Sequence, residues 1–122
     1  MASGPTTAEI NALYAKLVDF TVINAAISEW QIHELVGDVE SDAEAVTEPY
    51  AKPLAEKICK EKKLSGVVLF MGGDDTNGYD FYVITSDSKS KTHLASTAAI
   101  PATWQGLTLF YVKKSTSSSS SE

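Results

Sequence analysis

Apolar residues near the start of the chain recur at helical spacing. Ile10, Leu13, Tyr14, Leu17 and Val18 stand at i, i+3, i+4, i+7 and i+8, which draws one apolar stripe on a helix from about Thr7 to Asp19. Ahead of them, Thr6-Thr7-Ala8-Glu9 has capping-box spacing. In that motif the threonine hydroxyl and the glutamate carboxylate each accept an amide proton that has no partner within the helix. Phe20 to Ile27 is β-branched and apolar, and Ser28-Glu29 interrupts it. Trp30, Ile32, Glu34 and Val36 then alternate with Gln31, His33 and Leu35. The alternation predicts a two-stranded hairpin ending at Gly37-Asp38; a continuous helix from Asn24 to Val36 is the competing reading.

Acidic Val39 to Thr47 reads as a loop, with a second capping-box spacing at Ser41-Asp42-Ala43-Glu44. Glu48-Pro49 opens a helix with Ala51, Leu54, Ala55 and Ile58 inward. Pro49 suits a first turn, where its missing amide would have had no partner, whereas Pro53 places the start of regular helix near Tyr50. Lys60 to Lys63 ends it, and cations favour that end of the helix dipole. Gly66 to Met71 is a nearly continuous apolar run, as in a central strand. Asn77-Gly78 favours a turn with positive φ after Gly72, and Tyr79 to Thr85 supplies the partner strand. Lys91 to Ile100 has helical propensity until Pro101 stops it, and Leu107 to Val112 alternates as a last strand. This order of elements predicts an α+β fold, a central mixed β-sheet sandwiched by helices. Residues 1–114 make a single domain in this reading, and Ser-rich 115–122 a disordered tail.

A chain of 122 residues, 43% of them hydrophobic, is long enough for one core and too short for two. No apolar run approaches the roughly 20 residues that cross a bilayer. Met1 to Thr7 also lacks the charged-then-apolar pattern of a signal peptide, so a cytoplasmic protein is expected. A net charge of -6 excludes general nucleic-acid binding, which needs a positive footprint for phosphates. Cys59 is the single cysteine, which rules out an intramolecular disulfide and a thiolate metal cage; burial at a helix position is its expected role. The sequence places neither His33 nor His93 near it to act as a base. The Gly72–Gly78 loop lacks a lysine, carries Asp74 and Asp75 where an anion would sit, and precedes no helix, so it is no phosphate cradle. Its acids also lack the spacing of a calcium loop. No catalytic residue, metal or cofactor is expected. A small enzyme using His33 or Asp80 as base is the outlying alternative, and it would need a partner group and an enclosed pocket.

Chemistry concentrates instead in Lys89-Ser90-Lys91-Thr92-His93-Leu94-Ala95-Ser96-Thr97, followed by Ala98, Ala99 and Ile100. Two cations one residue apart, then small hydroxyl residues and an apolar anchor, suit a helix lying across another protein's surface. Two solvated lysines beside a core helix are the plainer alternative. Other segments fall in matching order: Met1-Ala2-Ser3-Gly4, Gly37-Asp38, Glu48-Pro49-Tyr50, and Gly106 before an apolar strand. Together they resemble the actin-depolymerising factor (ADF)/cofilin family over residues 1 to 112. Lys89, Lys91, Ala95, Ser96, Thr97 and Ile100 fit that family's basic, small-residue motif, whereas Thr92 and Leu94 stand where it has methionine and tyrosine. Pro101 interrupts a helix that usually continues with basic residues, and no C-terminal helix follows Val112.

The resemblance implies an ADF-homology-like fold in a cytoplasmic, cytoskeleton-associated monomer. It implies binding of actin, monomeric rather than filamentous, with promotion of filament turnover and weak severing. The implied actin-binding residues are Ser3, Gly4, Lys89, Lys91, Leu94, Ala95, Ser96 and Thr97. A helix from about Lys91 to Ile100 would enter a cleft between two actin subdomains, with its lysines on actin acids and Leu94 and Ala95 on apolar walls. Ser3 would be a phosphorylation switch, since a phosphate adds roughly -1.5 to -2 charge against an acidic partner. A profilin-like or roadblock-like interaction module without severing activity shares a similar order of elements and is the rival reading.

Overall fold

The computed structural model describes residues 5–20, 31–37 and 39–114. Its helices are α1 (Thr7–Ala15), α2 (Ile32–Val36) and α3 (Glu48–Lys62). Its strands are β1 (Leu17–Phe20), β2 (Val67–Asp74), β3 (Gly78–Ile84), β4 (Lys89–Leu94) and β5 (Thr108–Val112), with a 3-10 turn at Ala102–Trp104. The strands form one sheet in the order β1-β5-β2-β3-β4. Because β5 runs parallel to β2 while all other pairings are antiparallel, the sheet is mixed. The α+β class is the one expected from the order of elements.

Side chains of successive strand residues point to opposite faces, and both faces here are covered. Val67, Leu69 and Met71 of β2 join Ala51, Leu54, Ala55 and Ile58 of α3 on one face. Val68 and Phe70 join Leu35, Val36, Phe81, Leu109 and Trp104 on the other. Phe81 meets Phe70 and Trp104 edge-on, with ring centroids 5.7 and 5.0 Å apart, the arrangement that aromatic quadrupoles favour. Burial on both faces explains why β2 is an almost unbroken apolar run.

The capping box of α1 forms as its spacing predicts: Thr6 N–H donates to Glu9 Oε1 at 2.9 Å and Glu9 N–H to Thr6 Oγ1 at 3.1 Å. The helix nevertheless ends at Ala15, short of Asp19. Leu17 and Val18 pack on opposite faces of the sheet, and Leu17–Phe20 pairs with Leu109–Val112. A partner strand outweighs the local periodicity there. Ile32–Val36, predicted as strand, is a short helix burying Ile32, Leu35 and Val36 at i, i+3 and i+4; the competing continuous helix does not hold either, because Gln31 is extended and bridges to Ala99. The strand expected over Phe20 to Ile27 lies outside the described residues beyond Phe20, as do Trp30 and the Ser-rich tail. α3 starts at Glu48 with Pro49 in its first turn, slightly earlier than Pro53 suggested.

The largest correction concerns Lys91 to Ile100. The expected helix is absent: Lys89–Leu94 is β4, paired residue by residue with Tyr79–Ile84. Ala95 to Ala98 then turns, and Ala99 bridges to Gln31. Thr92 and His93 are weak helix formers, and the Thr85–Ser88 turn brings the segment straight back along β3, where ladder hydrogen bonds decide its state. No described helix is long and apolar enough to cross a membrane.

A candidate interaction surface at the β4 edge

β4 is the last strand of the sheet among the described residues, so one of its sides has no strand partner there. Cross-strand neighbours share a face. Lys89, Lys91 and His93 therefore lie with Ile84, Tyr82 and Asp80 on the α3 side, and Ser90, Thr92 and Leu94 on the other. α3 presents Glu48, Lys52 and Glu56, four residues apart and so on one stripe. Lys89 Nζ sits 3.4 Å from Glu56 Oε2, and Lys91 Nζ 3.7 Å from Glu48 Oε1. With the two lysine side chains 55% and 44% exposed, these are weak ion pairs screened by water. Between them runs an open groove of about 520 Å³ that Lys52 and Tyr82 also line. Tyr82 is only 5% exposed, and burial, aided by nearby Glu56, pushes its phenol up from the ordinary value. His93 Nδ1 lies 2.7 Å from Asp80 Oδ1 at the end of this surface.

A second polar cluster joins the β2–β3 turn to α2. Asp75 Oδ1 accepts the Tyr79 hydroxyl at 2.5 Å and lies 2.8 Å from His33 Nδ1. The same hydroxyl is 3.0 Å from Glu40 Oε1. The bond from Tyr79, followed by that from His33, holds the Asp75 carboxyl below its usual range. Asp75 in turn raises the His33 imidazole. Desolvation first, and then the two carboxylates, push the Tyr79 phenol far up, so it stays a proton donor. Ser96 Oγ donates to the Asp75 carbonyl at 3.0 Å, and His33 N–H to the Ser96 carbonyl at 2.9 Å. The cluster clasps three loops together.

The residues expected to bind a partner are thus divided. Ser3 and Gly4 lie outside the described residues. Lys89 and Lys91 are exposed on the α3 side, whereas Leu94 packs on the opposite core cluster. Ser96 is engaged by Asp75, and Ala95 and Thr97 are exposed in the turn. A helix would have put Lys91, Leu94 and Ala95 on one face; a strand separates them. Cys59 is half-buried on α3, with its thiol pushed up by burial. The described residues hold no group of three or more His, Cys, Asp or Glu able to bind a metal. Sequence reasoning missed Lys52 and Tyr82. The spacing of Glu48, Lys52 and Glu56 was a usable signal for the first, but only strand register reveals the second. No protein-family model, curated protein or solved structure matches the chain.

Proposed function

We propose that this chain is a protein-interaction module that recognises an acidic partner along β4. Actin, the partner implied by the ADF/cofilin resemblance, is the first to test. The observation that carries this reading is the convergence of Lys52, Lys89 and Lys91 on one open groove in a chain of net charge -6. Long, exposed ion pairs exchange readily: each ammonium can leave Glu48 or Glu56 for a partner carboxylate without a desolvated charge being stranded. The ADF-homology assignment, monomeric actin as ligand and a cytoskeletal location belong to the same proposal. Contact now runs through a strand and the face of α3 in place of an inserted helix.

Monomeric-actin affinity of a Lys89→Ala/Lys91→Ala double variant tests it. Removing two exposed lysines should change folding stability by no more than about 1 kcal/mol, so a binding loss can be read directly. Affinity is expected to fall about tenfold or more, and to fall with added salt. Affinity equal to wild type would remove β4 as the site, and no binding by wild type would remove actin.

A further inference from the structure

We infer that β4 takes up its partner by strand addition, and that the incoming segment is an extended acidic peptide with a carboxylate at every second residue. This inference rests on the acidic-partner reading above and supplies its backbone geometry and sequence rule.

The turn before β4 sets which main-chain groups are free. Thr85 N–H donates to the Ser88 carbonyl at 2.8 Å, which makes Thr85 and Ser88 a hydrogen-bonded antiparallel pair. Bonded and non-bonded pairs alternate along such a ladder. The next pairs are Ile84–Lys89, Val83–Ser90, Tyr82–Lys91, Phe81–Thr92, Asp80–His93 and Tyr79–Leu94. The alternation turns the backbone groups of Ser90, Thr92 and Leu94 toward β3 and those of Lys89, Lys91 and His93 to the open side. The amides and carbonyls without a strand partner among the described residues therefore belong to the residues with basic side chains.

A strand bonded to those groups sets the side chains opposite Lys89, Lys91 and His93 on the α3 side of the sheet. Acids at alternate positions meet the two ammonium groups there, and the residues between them face Ser90 and Thr92. The edge has a defined length. β4 is 6 residues long, about 20 Å at strand rise. It is bounded by the Thr85–Ser88 turn and, beyond Leu94, by a turn held to α2 where Ile32 N–H donates to the Ala98 carbonyl at 2.9 Å. A second copy of the chain is a poor occupant, because antiparallel pairing of β4 with itself would bring its basic side chains against one another. Lysines on an edge deter self-pairing, and the same charges select an acidic strand.

The probes are two fluorescein-labelled peptides of one composition, Glu-Thr-Glu-Thr-Glu-Thr and its block isomer Glu-Glu-Glu-Thr-Thr-Thr, followed by anisotropy at about 50 mM salt, where screening is modest. The alternating peptide should bind about tenfold more tightly, and N-methylation of its ladder-forming amides should abolish that advantage. Lys91→Pro and Lys91→Ala both remove the ammonium, but only proline removes the outward amide, a change that an edge position tolerates. Proline should therefore cost about a further tenfold, with circular dichroism verifying the fold. Equal affinity for the two peptides, no effect of N-methylation, or equal loss for the two variants overturns strand addition. If Lys89→Ala/Lys91→Ala still weakens binding in that event, charge recognition survives without it. Peptide binding indifferent to both lysines, or absent altogether, overturns the two readings together.

Discussion

Asp75 holds Tyr79 and His33 with one carboxylate oxygen. Its consequence is a pH dependence of stability. His33 is raised above 6.5, so its contribution is complete below about pH 6.5 and is lost as pH rises through the higher folded value. Asp75 is lowered from 3.8, so its contribution is present above that value and lost as pH falls through the lower folded one. Both operate together between about pH 4 and 6.5. Urea unfolding of wild type and His33→Gln should differ more at pH 5.5 than at pH 8.5, and equal differences would show that the pair stores nothing. His33 lies exposed on α2. Its partner lies 42 positions away and no local pattern points to it.

At the scale of elements, the β2–β3 hairpin sets the geometry of everything beside it. Its ladder shifts register between Phe70 and Gly72, and the Met71 carbonyl accepts Val46 N–H at 2.8 Å, tethering the segment that leads into α3. Nearer the turn, Gly73 packs directly against the opposite strand: its φ is +135°, and a Cβ there would stand 2.3 Å from the Gly78 carbonyl oxygen. Gly73→Ala should therefore cost at least about 1–3 kcal/mol, measured by denaturant titration, and a neutral result would mean the turn can relax. The tight turn itself was legible, since Asn77-Gly78 announced a positive φ and Gly78 adopts +91°. The next element was not. Lys89 to Leu94 has neither strong helical nor strong strand propensity, and its fate lay with the β3 ladder.

Across the whole molecule, stability comes from two apolar layers that share β2, β3 and β5. Leu54 and Phe81, both 0% exposed, stand on opposite sides of the sheet. Leu54→Ala should cost about 2–5 kcal/mol and Phe81→Ala about 3–5 kcal/mol. Because one sheet joins the layers, each variant should still unfold in a single transition with the wild-type denaturant slope. A separate early transition in either would show that the layers unfold independently. What near neighbours along the chain encode came through: the Thr6–Glu9 cap, the inward face of α3, the apolar β2, the turn at Gly78 and the α+β class. Those features depend on contacts within about a turn of helix or hairpin. Strand pairing does not, because a strand acquires its hydrogen bonds only from residues distant in sequence. Hence the conversion of Leu17–Phe20 and Lys89–Leu94 into strands, the parting of Lys91 from Leu94, and the meeting of Lys52 with Lys89 and Lys91 were settled only when the sheet assembled.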